Sequence, residues 1–321
     1  MGKRVLITGA AGFAGSHLAE RLCAGGHEVI GTHLDDNVEN VSGLAGLKLV
    51  KCDLLDNALL TSVIKDVRPD VIFHLAAQSS PSISYSNPAE TLRVNIFSTL
   101  NLFEALANNS TDTVVINAGS GDEYGEAAEH EMPLSETSEL RPANPYALSK
   151  VAVDLMAYQY WKSRGVKAVR CRPFNHLGPR QSPNFAASFF AKQTAEIEAG
   201  LNPENVIKVG NLEGSKDFLD VRDVISAYEL LMDKGVYGEV YNVCSGKAIK
   251  IRFILETLLA MSSEKIEVVQ DAQRMRGAEA KSVWGSNAKI RNLGWVPVHS
   301  VADGLKMVLD YWRGKLRRAA Q

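Results

Sequence analysis

The sequence predicts an α/β fold: a doubly wound parallel sheet followed by a smaller α/β domain. Short apolar strands alternate with amphipathic helices through the first half of the chain. A glycine-rich turn, Gly9-Ala-Ala-Gly12-Phe13-Ala14-Gly15, directly follows the first strand and opens the first helix. The chain has 321 residues, 45% of them apolar, enough for one large or two modest cores.

Residues 5–8 read as a short buried strand, and after the glycine turn 16–24 continue as a helix. Gly25-Gly26 precedes a second strand over 28–32, and 48–52 form a third. Residues 58–65 have a helical pattern, 71–75 form a fourth strand, and a long helix over about 88–108 leads to a fifth strand at 114–118. The next helix marks its own ends. Asn144 suits the N-cap, Pro145 the first helical position, and helical spacing continues to 162 until Gly165 closes it. Residues 168–173 form a sixth strand. Strands that are apolar throughout belong in a parallel sheet covered on both faces, which binds ligands beyond the carboxyl ends of its strands.

Net charge is −2, with lysines and arginines scattered. That gives no electrostatic reason to expect nucleic acid or an anionic membrane as partner. No apolar run approaches the ~18 residues of a spanning helix. Cys23, Cys52, Cys171 and Cys244 lie far apart without a Cys-x-x-Cys pair, so reduced thiols in a cytoplasmic protein are expected. The seven histidines have no ligand spacing, and no metal site is expected. A strand starts almost at once, which leaves no room for a signal peptide.

The motifs of the cofactor half lie at strand ends. Spaced glycines between a strand and a helix bring backbone N–H groups to a pyrophosphate, so Gly9, Gly12, Phe13, Ala14 and Gly15 are candidate dinucleotide ligands in a Rossmann-type sheet. The second strand ends in Thr32-His-Leu-Asp35-Asp36; either aspartate is placed to take a ribose hydroxyl, or is a solvated loop carboxylate. No arginine adjoins them for a 2′-phosphate, which tips the expectation towards NAD over NADP. Asp53, followed by Leu54, ends the third strand, where it can reach an adenine amino group. His74-Leu75-Ala76-Ala77-Gln78 ends the fourth with small residues past which a cofactor fits, and His74 itself reads as structural.

Tyr146 and Lys150 are one helical turn apart on one face, which sets an ammonium beside a phenol. One cation ~4 Å away at an effective dielectric of ~20 supplies roughly 4 kcal/mol, about the 3 units that separate a phenol from neutrality. Tyr146 is therefore a candidate proton donor or acceptor, although Tyr-x-x-x-Lys also arises by chance on helices.

Taken together, Gly9-x-x-Gly12-x-x-Gly15, His74-Leu-Ala-Ala77, Asn95 and Tyr146-x-x-x-Lys150 resemble the extended short-chain dehydrogenase/reductase family, over essentially the whole chain. That resemblance makes Ser120 the third member of a Ser-Tyr-Lys triad, gives Lys150 the nicotinamide ribose, and adds Pro173 to the cofactor site. Arg172-Pro-Phe-Asn175-His-Leu-Gly-Pro-Arg180, the run from Val209 through Lys216 to Asp223, Tyr241–Gly246 and Arg274–Glu279 are similar to GDP-mannose 4,6-dehydratases and still more to GDP-4-keto-6-deoxy-D-mannose reductases. The similarity implies a GDP-sugar substrate met by Ser80, Ser84, Asn175, Arg180, Asn184, Lys216, Arg276 and Glu279. It implies a dinucleotide-binding domain of residues 1–174 plus about 217–246, a nucleotide-sugar domain of about 175–216 plus 247–321, and a homodimer through a four-helix bundle. Leu155, Met156, Tyr160 and Trp161 suit that bundle or the monomer core equally.

In the dehydratases, a glutamate after the serine or threonine abstracts the C5 proton, and some place an aspartate before it to protonate the leaving group. Here those positions hold Asp122 and Gly121. The elimination set is reduced while the hydride-transfer triad is whole, so a 4-keto reduction with NAD(P)H is expected, ahead of dehydration, epimerisation or a regulator that merely binds dinucleotide.

Overall fold

The computed structural model describes residues 2–109, 112–271 and 282–319. In chain order it runs β1 (Arg4–Thr8), α1 (Phe13–Ala24), β2 (Glu28–His33), β3 (Leu47–Lys51), α2 (Asn57–Val67), β4 (Val71–His74), α3 (Pro81–Ser86), α4 (Pro88–Asn108), β5 (Val114–Ala118), α5 (Pro145–Arg164) and β6 (Lys167–Pro173). After these come β7 (Asn175–Leu177), α6 (Ala186–Glu198), β8 (Val206–Val209), β9 (Ser215–Asp220), α7 (Val221–Lys234), β10 (Val240–Val243), β11 (Ala248–Lys250), α8 (Ile251–Ala260), β12 (Glu267–Gln270), β13 (Ser282–Val283), α9 (Ala288–Arg291) and α10 (Val301–Ala319).

Seven parallel strands form the main sheet in the order β3-β2-β1-β4-β5-β6-β10. Strand order reverses between β1 and β4, the crevice where such sheets take a dinucleotide. The period-2 alternation of β1 divides its side chains between two cores. Val5 and Ile7 pack with Leu18 and Leu22 of α1 and Val224, Tyr228 and Leu231 of α7. Leu6 faces Leu60 and Ile64 of α2, Leu102 and Phe103 of α4 and Tyr160 of α5.

Local chemistry sets the helix ends. Asn144 Oδ1 accepts from Ala147 N at 2.8 Å, and Gly165 closes α5 in the left-handed region at φ +70°. Helix α1 begins at Phe13, three residues before the patterned stretch at 16–24, because Ser16 N already donates to Gly12 O at 3.0 Å. The glycine turn is itself the first turn of the helix.

Beyond β6 the chain builds a second layer. Here β9 pairs with β7, β11 and β13, while β8 pairs with β12. Phe190, Ile207, Phe218, Ile254, Leu305 and Trp312 form its core. Strand β10 returns to the main sheet beside β6. The two layers enclose a cleft of about 960 Å³ beyond the carboxyl ends of the main strands.

Candidate active site

The turn after β1 is made by close backbone approach. Gly9 adopts φ +70°, and a Cβ there would lie 2.9 Å from Ala76 Cα, so only glycine lets the turn cross the end of β4. Gly12 caps α1 without a side chain, and the first helical turn carries no acidic residue. Its orphan N–H groups therefore remain for an anion, with the helix dipole behind them.

Thr8 fixes the next element. Its hydroxyl accepts from Leu75 N at 3.1 Å and Ala76 N at 3.2 Å, so its own proton goes to His74 Nδ1, 2.9 Å away. His74 Nε2–H then donates to Thr99 Oγ1 at 2.9 Å, and Thr99 donates to Asn95 O at 2.8 Å. Burial, aided by the Lys150 charge, pulls this imidazole down to about 3. His74 is a neutral structural group, as its sequence context suggests.

Asn95 joins two parts of the site. Its Oδ1 accepts from Gln78 N at 2.8 Å, and its Nδ2 donates to Gln78 O at 3.0 Å and to Ser149 Oγ at 2.8 Å. Ser149 donates in turn to Tyr146 O at 2.6 Å. The strand end that faces the cofactor crevice is thereby tied to the first turn of α5.

Ser120, Tyr146 and Lys150 come together on the cleft wall. Asp122 N donates to Ser120 Oγ at 3.1 Å, and the Ser120 side chain lies close enough to the Tyr146 hydroxyl to act on it. The Lys150 ammonium donates to Ala118 O at 2.8 Å and stands 5.9 Å from the Tyr146 ring centroid. Here the structure corrects the sequence expectation. Burial, followed by the Asp122 charge, raises the Tyr146 phenol; Ser120 opposes the rise and Glu123 adds to it. Desolvation of a phenolate outweighs a lysine that is directed at a carbonyl. Burial also pulls Lys150 down to about 8, with Glu123 and Cys171 acting the other way. Tyr146 is thus held as a neutral hydroxyl, the form that gives a proton.

Gly12, Phe13, Ala14, Gly15, Asp53, Leu54, Leu75, Ala76, Ala77, Gln78 and Pro173 line the same cleft, and Asp35 lines a recess that adjoins it. Asp122, Asn175, Arg180, Asn184 and Lys216 line the cleft too, and Arg180 also lines the recess that holds Asp35. Burial raises the Asp122 carboxyl and the Lys216 charge lowers it. Arg180 adopts φ +70° and pairs with Glu20 of α1. The structure does not bring Ser80 or Ser84 to the cleft wall. Ser80 Oγ accepts from Ile83 N at 3.4 Å as the cap of α3, and Ser84 Oγ donates to Pro81 O at 2.7 Å. Between them, Pro81 and Ser82 line the cleft. Arg276 and Glu279 lie outside the described residues.

Two residues that sequence reading passed over shape the site. Phe174 lines the cleft between Pro173 and Asn175, and its ring fills the space beside Gly121 and Gly285. His176 stacks on Phe13 with ring centroids 5.4 Å apart. Their only signal was position, inside a segment already assigned to the site. Among the described residues no group of His, Cys, Asp or Glu forms a metal site, all four cysteines are free, and no helix is long and apolar enough to cross a membrane.

A Rossmann-type sheet with a Ser-Tyr-Lys constellation beyond its strand ends defines an extended short-chain dehydrogenase/reductase. Within that class the chain belongs to the GDP-mannose 4,6-dehydratase family, whose model matches residues 6–308. It is similar to a GDP-6-deoxy-D-mannose reductase of Pseudomonas aeruginosa, 36% identical over 318 residues that cover 99% of each chain. The structure of RMD from Pseudomonas aeruginosa complexed with NADPH matches with a TM-score of 0.85 at 35% identity, covering 98% of this chain and 99% of that one. A UDP-glucose 4-epimerase of Thermus thermophilus, in complex with NAD, also gives 0.85, at 30% identity over 97% of this chain and 99% of its own. The chain is an enzyme of this nucleotide-sugar group.

Proposed function

We propose that the protein reduces the 4-keto group of GDP-4-keto-6-deoxy-D-mannose with NAD(P)H, to give a GDP-6-deoxyhexose of the GDP-D-rhamnose type. One observation carries the choice of reduction over dehydration. A Cβ at Gly121, where some dehydratases hold the leaving-group acid, would lie 2.8 to 3.0 Å from three carbons of the Phe174 ring. The place of the acid is filled by an aromatic wedge, not left open. The likeness to the Pseudomonas reductase supports the same reading.

The uncapped first turn of α1 and the Gly9–Ala76 crossing fit a dinucleotide pyrophosphate, and Asp35 fits an adenosine ribose. Lys150 would hold the nicotinamide ribose. When bound, the cofactor supplies hydride to the sugar's C4. Ser120 holds the C4 oxygen with its hydroxyl, Tyr146 passes its phenolic proton to that oxygen, and the Lys150 ammonium stabilises the charge left on the phenol. Lys216, which lines the cleft near Asp122, is placed for the substrate diphosphate; Arg180, assigned there from the resemblance, instead pairs with Glu20 of α1 and lines the recess that holds Asp35. Asp122 stands where a dehydratase has its glutamate, and without the second acid it has no elimination to complete.

The finer assignments belong to the same proposal. Residues 1–174 with about 217–246 bind the dinucleotide and the remainder the nucleotide sugar, in keeping with the return of β10 to the main sheet. NADH serves better than NADPH: Asp35 stands in the adenosine recess, and the two cations that line it are already paired, Lys315 with Glu39 at 2.9 Å and Arg180 with Glu20. The protein acts in the cytoplasm as a homodimer built on α4 and α5.

The test is to supply GDP-4-keto-6-deoxymannose with NADH or NADPH and follow the absorbance of the reduced nicotinamide. Oxidation matched to ketone consumption is expected, faster with NADH. Dehydration of GDP-mannose without net oxidation would overturn the reductase reading, and a preference for NADPH would overturn the cofactor reading alone.

A further inference from the structure

Beneath the Ser120 loop lies a buried charge cluster that takes no chemical step in the ketone reduction. Glu123 is fully buried. Its Oε1 accepts from Ser120 N at 2.7 Å, and a Cβ at Gly119 would meet that same oxygen at 2.2 Å. The carboxylate is folded directly under the backbone that carries Ser120. Its Oε2 stands 2.9 Å from Arg172 Nε of β6. Arg172 Nη2 then donates to Asp154 Oδ2 at 2.6 Å, and Nη1 to Tyr124 OH at 3.0 Å. Arg170 Nη1 also donates to Asp154 Oδ2, at 3.1 Å. Asp154 is four residues beyond Lys150 and eight beyond Tyr146, on the same face of α5.

We propose that Glu123 is a positioning residue: bridged by Arg172 to Asp154, it holds the Ser120 loop in register with the helix face that carries Tyr146 and Lys150. The inference rests on the reductase reading, since it assigns what that reaction needs from two separate elements. Ser120 sits on a short loop after β5, whereas Tyr146 and Lys150 sit on α5. Both must meet one substrate oxygen, and a misplacement of about 1 Å costs on the order of a hundredfold in rate. Apolar packing alone sets such a distance loosely. A carboxylate that accepts from the Ser120 amide on one side and pairs in charge with an arginine 2.9 Å away on the other, without an aligned hydrogen bond there, sets it by one directional bond and one close ion pair. The cluster balances two arginines against two carboxylates, so removal of one member leaves a buried charge unpaired.

Glu123 also acts on the site through its field. It faces Arg172 of β6 and Asp154 and Lys150 of α5, and Lys150 faces in addition the neutral His74 of β4 and the buried thiol of Cys171. Burial, then the Asp154 charge, raises the Glu123 carboxyl well above the ordinary carboxylate range, with Arg172 and the Ser120 amide opposing; in its ionised form Glu123 raises both Lys150 and Tyr146. Its removal therefore moves both downwards.

The experiment compares the full-length enzyme with Glu123→Gln and Glu123→Ala in the ketosugar assay, with thermal unfolding as the fold control. Glutamine keeps an acceptor for the Ser120 amide and loses the charge; alanine loses both. For Glu123→Ala we expect kcat to fall about a hundredfold while KM for the reduced nicotinamide stays within about twofold. For Glu123→Gln we expect a loss of about tenfold and an alkaline limb of the kcat profile displaced to lower pH. Partial rescue by glutamine, with the shifted limb, supports the bridge. A Glu123→Gln enzyme with wild-type kcat and an unmoved limb overturns it, whatever its melting temperature and even if the alanine variant does not fold. Absence of ketone reduction by the wild-type enzyme would instead sink the reductase reading, so the two failures are distinct.

Discussion

At the residue scale, burial decides the protonation of the candidate triad. Tyr146 is raised and keeps its proton across the accessible range, so Lys150 is the group that titrates. Its folded-state value is depressed to about 8, which means the ammonium is present below that pH and is lost as pH rises through it. The kcat/KM profile of the free enzyme should therefore bend down near pH 8, well before an exposed lysine would titrate. A flat profile to pH 10 would contradict the assignment. Gly121 supplies a second prediction. Gly121→Asp should destabilise the fold by about 1–3 kcal/mol in urea titrations, because the new Cβ drives into the Phe174 ring. It should create no dehydratase activity towards GDP-mannose; appearance of that activity would refute the wedge.

At the scale of elements, the legible parts were those that local chemistry sets. The N-cap and closing glycine of α5, the apolar strands and the glycine turn each declare themselves within a few residues. What stayed hidden depends on tertiary approach. Ser80 and Ser84 lie in the right loop, but the backbone groups of α3 take their hydroxyls. The sign of the Tyr146 shift depends on burial, which spacing on one helix does not reveal. Phe174 matters only because β6 delivers it beside Gly121. Asn95 was recognised as a motif residue, and its role became plain only when α4, the end of β4 and α5 were seen together. Asn95→Ala should strip the Gln78 amide of its side-chain acceptor and Ser149 of a donor, at a cost of about 2 kcal/mol or more in urea unfolding. KM for the nicotinamide should rise too, because the Gln78 loop lines the cleft. Loss of stability with unchanged KM would show that the lock serves the fold alone.

Across the whole molecule, the same two helices that carry and brace the site also present an apolar surface. Within the monomer α4 and α5 are already fastened together: Tyr160 stacks on Phe103 at 5.3 Å and donates to Glu104. Tyr160 therefore belongs to the monomer core, which leaves other residues to face outwards. Phe97 on α4 is 53% exposed, and Leu148 and Leu155, seven residues apart on one face of α5, are 48% and 50% exposed. Contiguous exposed apolar patches larger than a few hundred Å² mark protein contacts, whereas single exposed apolar side chains are ordinary surface. A second copy related by a twofold axis would bury this patch against itself, as isologous interfaces do. Such a dimer would also stiffen α5 behind Tyr146 and Lys150. Leu148→Glu with Leu155→Glu would set like charges against each other across such an axis, at positions exposed in the monomer. Light scattering at micromolar concentration should give a dimer mass for the wild-type chain and a monomer mass for the double variant, with the melting transition of the monomer still cooperative. A wild-type chain that is monomeric under those conditions, or a double variant that stays dimeric, would place the interface elsewhere.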